Sequence, residues 1–149
     1  LASGFWFHLL LSYPAMPGKP RGPEKTLEQI VEELGLYPID AFEFVREGLN
    51  FTVQRIHGRK KDPEASRHVS GQQLCEGLRQ YALLRWGMLA RTVLARWGIT
   101  RTEDFGRIVF AMIEGQFLAK TDEDSVDDFR NVYDFESAFD AGYRIKVKA

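Results

Sequence analysis

The side chains that most often carry out catalysis or bind metals are few in this chain of 149 residues, which has one cysteine and three histidines. A nucleophile pair of Cys75 with a histidine could assemble in space, but the sequence does not place the two together. His57 and His68 have no acidic or cysteine neighbours at metal-ligand spacing. We therefore interpret Cys75 as a small hydrophobe and both histidines as structural or solvent-facing. The sequence predicts a protein that is not an enzyme and that holds no metal or cofactor.

Two acidic patterns match known metal sites only in part. Asp104-Phe105-Gly106 spells the magnesium-binding triplet of protein kinases, but no glycine-rich phosphate loop or catalytic-loop motif accompanies it. We expect Asp104 to favour the first turn of a helix and Phe105 to begin a core stripe. The acidic cluster at 122–128 lacks the glycine that a calcium-binding EF-hand loop needs at position 127. We interpret this cluster as a solvated acidic face, with casual calcium binding as the alternative.

The candidate contact residues are basic and lie in one predicted loop between two helices. This basic loop contains Arg59, Lys60, Lys61 and Arg67. Four clustered cations could contact an anion or an acidic partner. The alternative is that they are simply solvated, because exposed loop charges need no function.

Charge is also divided along the chain. Six arginines and two acids lie between residues 79 and 107, whereas nine acids and two bases lie between residues 114 and 140. One interpretation is a dipolar surface that steers a partner. The interpretation that we favour is that the two stretches pair with each other within the fold. The arginines do not share one helix face, so they do not predict a stripe that tracks phosphates.

Capping patterns and apolar periodicity predict a mainly α fold, a compact bundle of about five helices. The patterns Thr26/Gln29, Asp40/Glu43, Ser70/Gln73 and Thr100/Glu103 open four helices, which end near Leu34, His57, Trp97 and Glu114. Gly87 either interrupts the third helix or allows close packing, and Met88 continues its apolar stripe. A weaker segment starts at Thr121 or Ser125, and a last turn starts at Asp134. Alternating residues near the C-terminus predict a short strand, with a frayed tail as the alternative.

The length and the composition predict one helical domain at 24–140, a disordered leader at 1–23 and a short strand or tail at 141–149. Hydrophobic residues make up 44% and the net charge is −1, which excludes a wholly disordered chain and argues against a strongly basic nucleic-acid binder. We interpret residues 1–15 as translated sequence upstream of the true start, Met16. A signal or an anchor is the alternative, although the apolar run there is too short to span a bilayer.

The stretch from Thr92 to Glu114 has the rhythm of a helix-turn-helix motif, with residues 117–135 as a wing hairpin or a further helical segment. A helical wheel centred on Phe105 places three acids on the exposed arc of the second helix, at Glu103, Asp104 and Glu114. These carboxylates would repel phosphates. A nucleic-acid-binding winged helix-turn-helix protein is therefore the alternative function rather than the main one.

Two segments carry a resemblance to a known family. They are Trp97 to Phe139, WGITRTEDFGRIVFAMIEGQFLAKTDEDSVDDFRNVYDFESAF, and Ser70 to Gly87, SGQQLCEGLRQYALLRWG. They resemble a small family of uncharacterised bacterial proteins described as restricted to planctomycetes and verrucomicrobia. The resemblance implies a small cytosolic protein with no established activity, and it supplies no catalytic or binding residues.

The function that the sequence favours is a non-enzymatic interaction or regulatory module. The 11 phenylalanines and three tryptophans could leave an apolar patch for a partner or for a second copy, although most of them should fill the core. We expect a cytoplasmic protein with a protein partner or self-association, and we expect no membrane and no nucleic acid.

Overall fold

The computed structural model describes residues 5–6, 25–58, 68–118 and 125–141. Its main elements are five α-helices: α1 Leu27–Leu34, α2 Ile39–His57, α3 Gly71–Trp86, α4 Ala90–Arg96 and α5 Thr102–Glu114. Shorter elements are the 3-10 helices Gly87–Leu89 and Val126–Phe129, the π-helix Glu136–Ala141, and the two-residue strands β1 Phe5–Trp6 and β2 His68–Val69. The predicted mainly α bundle of about five helices is confirmed.

Two of the four predicted helix starts are confirmed in detail. The Thr26 hydroxyl accepts from the backbone N–H of Gln29 at 3.1 Å, and the Gln29 side chain accepts from the Thr26 N–H at 2.9 Å. Ser70 and Gln73 make the same reciprocal pair at 3.0 and 2.9 Å. Because each pair satisfies two backbone donors that a helix start leaves open, these starts depend on local sequence alone.

The other two predicted starts are wrong. Pro38 caps helix α2 with an extended backbone and makes no side-chain capping hydrogen bond. Asp40 lies inside the first turn of the helix. At α5 the capping carboxylate belongs to Asp104, not to Glu103. It accepts from the backbone N–H groups of Thr100 and Arg101 at 2.9 and 3.2 Å. The predicted capping acid is one residue away from the observed one, because Glu103 and Asp104 would both favour the first turn of the helix electrostatically.

The core lies between α2, α3 and α5. Its largest fully buried side chains include Phe42, Leu49, Leu74, Leu78, Phe105 and Ile108. Helices α2 and α3 pack along most of their length, and α5 contacts α1, α2, α3 and the 3-10 helix Val126–Phe129. A Cβ atom on Gly106 would lie 2.9 Å from Phe129, and one on Gly115 would lie 2.2 Å from Ile30. These two glycines let neighbouring elements approach α5 closely.

The helix-turn-helix rhythm is present as α4, a turn and α5, but α5 is a core helix. Only Arg107 and Glu114 of its side chains are exposed. The predicted exposed arc was wrong at Asp104, which is 5% exposed. Of the predicted wing, residues 117–118 and 125–135 are described, and the second stretch contains the 3-10 helix Val126–Phe129 rather than a strand.

The ends of the predicted domain are described only in part. Strand β1 lies in the segment predicted to be a disordered leader. It pairs antiparallel with β2, and Phe5 lies opposite Val69. The rest of that leader, including Met16, lies outside the described residues, as do residues 142–149 of the predicted strand or tail. The domain boundaries stay a prediction.

We expect the buried face of α5 to tolerate no charge. Ile108 and Val109 are both fully buried, so Ile108→Asp or Val109→Asp would place an unpaired carboxylate in the core. Each variant should lose several kcal/mol of unfolding free energy in chemical denaturation. Glu114→Ala, at an exposed position of the same helix, is the control and should change stability by about 0.5 kcal/mol or less. Unchanged melting temperatures for both aspartate variants would show that the register of α5 is wrong.

Candidate interaction surface

Three large apolar side chains are exposed together where α3 gives way to α4. Leu84 is 71% exposed, Met88 64% and Leu89 63%. We call these three residues the apolar patch. The sequence analysis had placed Met88 on a core stripe, and that prediction was wrong. Three large apolar side chains within six residues of sequence are each more than 60% exposed, whereas scattered single exposed apolar residues are ordinary on a protein surface.

The backbone turns sharply beneath this patch. Gly87 has φ +53°, a left-handed conformation that a side chain would strain, and it ends α3 before the 3-10 helix Gly87–Leu89. The turn changes the direction of the chain. Met88 is therefore exposed, although the helical repeat of α3, if continued, would place it on the face that packs against the core. Ala90 is fully buried directly after the patch.

Aromatic side chains next to the patch in sequence are packed into the fold. The Trp86 ring lies 5.2 Å from that of Phe44 on α2 and 5.4 Å from that of Trp97 after α4, measured between centroids. Phe44 also lies 5.9 Å from Trp97. This cluster joins the end of α3 to α2 and to the end of α4. The apolar patch is thus carried by a packed part of the fold.

Arginines flank the patch. Arg85 donates to Glu47 of α2 at 2.9 Å, and its guanidinium lies 5.0 Å from the Trp86 ring. Arg91 of α4 forms an ion pair with Asp140 of the π-helix. That pair joins the basic stretch of the sequence to the acidic one, whereas Arg79, Arg85 and Arg107 form ion pairs with acids outside the acidic stretch. Arg96, at the end of α4, is exposed.

A buried polar network ties the start of α2 to α5. Asp104 accepts from the hydroxyl of Tyr37, from Arg107 at 2.7 Å and from two backbone N–H groups. Burial, and then the hydrogen bond to Asp104, raise the pKa of Tyr37 to about 12. All of these donors fix the carboxylate, so we interpret the network as structural. The sequence analysis missed Tyr37, because nothing in its spacing signals a partner 67 residues away.

The chemistry considered for Cys75 is not supported by its surroundings. The side chain is fully buried, as predicted, and burial raises the pKa of its thiol well above the usual range. Its carbonyl accepts from the Tyr133 hydroxyl at 2.7 Å, and burial raises the pKa of Tyr133 as well. Burial disfavours the thiolate and the phenolate, the charged forms in which these groups would act as a nucleophile or a base.

The structure does not describe the basic loop. Arg59, Lys60, Lys61 and Arg67 all lie outside the described residues. His57 lies in the last turn of α2. Across the ranges that the structure describes, no three histidine, cysteine or acidic side chains could together hold a metal ion. Among those same ranges, no helix is long and apolar enough to cross a bilayer.

Two shallow grooves lie away from the apolar patch. One, of about 270 Å³, lies between α1 and α5 and is lined by Lys25, Glu33 and Glu114 among others. The second, of about 280 Å³, lies between α2 and α3 and includes Arg55, Glu76 and Gln80. Glu76 already accepts from Arg79 at 2.8 Å, and that hydrogen bond lowers its pKa. The potential nucleophile in each lining already donates elsewhere: Lys25 to Glu33 at 2.7 Å in the first, and Thr52 to the Gly48 carbonyl at 2.7 Å in the second.

No family model, no curated protein and no solved structure matches this chain. The resemblance that the sequence carries to the planctomycete and verrucomicrobial family therefore stays a prediction.

We expect removal of the Asp104 carboxylate to destabilise the fold. Asp104→Ala leaves the buried Tyr37 hydroxyl and two backbone N–H groups without their acceptor. The loss should reach at least about 2 kcal/mol in chemical denaturation. Asp40→Ala, at an exposed position in the first turn of α2, is the control and should cost under about 1 kcal/mol. Equal effects of the two substitutions would contradict the role assigned to the network.

Stability should fall with pH above the ordinary tyrosine pKa. The pKa of Tyr37 is 10.0 when unperturbed and about 12 in the folded chain, so the unfolded chain loses this proton first. The contribution of the Tyr37 pKa shift to the unfolding free energy is present below pH 10 and is lost as the pH rises to about 12. Unfolding free energies measured across this range should fall more steeply for the natural chain than for Tyr37→Phe. Parallel curves for the two proteins would refute the assignment.

Proposed function

We propose that this chain is a non-enzymatic interaction module that binds a protein partner through the apolar patch. The observation that carries the proposal is the joint exposure of Leu84, Met88 and Leu89 on one packed turn. Burying apolar surface contributes roughly 25 cal/mol per Å², so a partner that covers these side chains gains affinity. The aromatic cluster next to the patch fixes its shape before binding, which lowers the entropy cost of association.

Nucleic-acid binding is supported less well by the same structure. A reading helix must expose the face that enters the groove, and most side chains of α5 are buried or half-buried. The N-terminal turn of α5 also carries the half-buried carboxylate of Glu103, which would repel a phosphate there. A protein partner remains the better proposal. A cytoplasmic location is part of this proposal, and subcellular fractionation tests it.

A photo-crosslinking residue at position 88 tests the proposal in cells that express the protein naturally. We expect a discrete crosslinked product from position 88, because the partner covers that side chain. The same residue at position 126, where Val126 is exposed on a different element, should give no such product. A product of twice the chain mass would identify self-association, which is also an interaction through the patch.

The matched variant carries Leu84→Ser and Leu89→Ser beside the crosslinker. These substitutions replace exposed side chains, so the melting temperature should stay the same while the crosslinked product is lost. If position 88 gives no product, or gives the same product with both serines present, the apolar patch is not the binding surface.

A further inference from the structure

The segment at 125–141 packs against helices α3, α4 and α5 without an α-helix of its own. Its elements are the 3-10 helix Val126–Phe129 and the π-helix Glu136–Ala141, of four and six residues. The first contacts α3 and α5, and the second contacts α3 and α4. Isolated helices shorter than about 12–15 residues are marginal in water, so these contacts must hold the segment in its conformation. We call residues 125–141 the strap, and the surface that it covers the strap groove.

Three buried phenylalanines anchor the strap. Phe129 lies against Gly106 of α5, where an added Cβ atom would lie 2.9 Å from the Phe129 side chain. The ring centroid of Phe135 lies 5.7 Å from that of Phe105 on α5. Phe139 completes the set, with its ring centroid 5.0 Å from that of Phe135. A few aromatic side chains in close-fitting sites are also the main source of affinity when a folded surface binds another chain.

Two hydroxyl groups fix the position of the strap along the groove. The Thr102 hydroxyl of α5 is fully buried, and it donates to the Phe129 carbonyl at 2.7 Å and accepts from the Val132 N–H at 3.1 Å. The Tyr133 hydroxyl donates to the carbonyl of Cys75 on α3 at 2.7 Å. Because hydrogen bonds are directional, the groove accepts the strap in one register. The strap is thus held as a peptide ligand that belongs to the same chain.

We infer that two copies of this protein associate by exchanging straps, so that each strap lies in the groove of the other copy. A second copy carries the same three phenylalanines and the same Tyr133 hydroxyl, so its strap fits every site that the groove offers. Exchange of an identical element is a low-cost route to a dimer, because each chain makes with its partner the contacts that it otherwise makes with itself. The inference does not depend on the apolar patch or on its partner.

The strap of the same chain has one advantage over a strap from another copy. Tethering gives it an effective concentration at the groove that a second copy matches only at high protein concentration. A strap added in trans should therefore bind weakly to the natural chain. It should bind more tightly to a chain whose own strap is weakened, because the two straps compete for one groove.

The first test measures the binding of a fluorescently labelled peptide of residues 125–141 to the full chain by fluorescence anisotropy. In the chain, Phe129→Ala removes a buried anchor of the strap, and Tyr133→Phe removes only the hydrogen bond to Cys75. We expect the peptide to bind the Phe129→Ala chain at least about tenfold more tightly than the natural chain, and the Tyr133→Phe chain at least about threefold more tightly. Tyr133→Phe decides the outcome if the Phe129→Ala chain does not fold.

Matched controls connect this binding to the strap groove. Val126→Ser in the chain replaces an exposed residue of the strap and should leave the affinity for the peptide unchanged. The same substitution in the peptide should leave its binding to the Tyr133→Phe chain unchanged, whereas Phe129→Ala in the peptide should weaken that binding at least about tenfold. If the peptide binds all of these chains equally, or binds none of them, the inference is overturned.

The second test follows the exchange between whole chains. Arg91 of α4 and Asp140 of the strap form an ion pair, so Arg91→Cys with Asp140→Cys places one thiol at the groove and one on the strap. Both replaced side chains are about half exposed, and the natural Cys75 is buried. The double variant is refolded at low and at high protein concentration, and its monomer and dimer are separated and treated with a short bismaleimide crosslinker. We expect a dimer fraction that grows with protein concentration, with crosslinks between chains in the dimer and within one chain in the monomer.

The crosslinks distinguish strap exchange from association through another surface. Dimers in which every crosslink lies within one chain would show that the copies meet elsewhere. An absence of dimer at every concentration would show that the straps do not exchange. Either result overturns the inference and leaves the proposed function standing, because that function is tested separately by the crosslinker at position 88.

Discussion

Helices α2 and α3 approach each other so closely at Gly77 that a Cβ atom there would lie 1.8 Å from Oγ1 of Thr52. One turn earlier on α2, a Cβ on Gly48 would lie 2.3 Å from Leu78. The Thr52 hydroxyl donates to the Gly48 carbonyl at 2.7 Å, so it needs no partner on α3 and can lie buried in the contact. The remaining packing depends on this contact, because α5 packs against both helices and the aromatic cluster next to the patch joins both.

The sequence predicts best what neighbouring residues decide. The capping boxes at Thr26 and Ser70 close within four residues, and both are confirmed. The sequence predicts less well what depends on the direction of the chain in space. Asp104 was placed on an exposed arc, yet it is buried because Tyr37, distant in sequence, packs over it. Apolar periodicity predicts Met88 in the core because it continues the stripe of α3 past Gly87. The turn at Gly87 changes which face is buried, and periodicity does not record that change.

The candidate surface illustrates the same limit. The start of α3 could be predicted from its capping box, whereas the break at Gly87 is one of two alternatives that the sequence leaves open. The exposure of the surface could not be predicted, since Leu83 and Leu84 are adjacent and only the packed fold shows which of them faces the core. Leu83 packs against the core and Leu84 does not. The basic loop residues that the sequence singled out lie outside the described residues, so their role stays a prediction. The structure adds a packed scaffold with exposed apolar side chains at the turn between α3 and α4.

The most direct test of this account is the unfolding free energy of Gly77→Ala, Thr52→Ala and the double variant. Alanine normally stabilises a helix relative to glycine by up to about 1 kcal/mol, so the sign of the Gly77→Ala effect is diagnostic. Because a β-branched side chain opposite position 77 cannot move aside, we predict that Gly77→Ala costs about 2 kcal/mol, and that the double variant costs less than the sum of the single ones. A Gly77→Ala protein as stable as the natural chain, or more stable, would contradict the account.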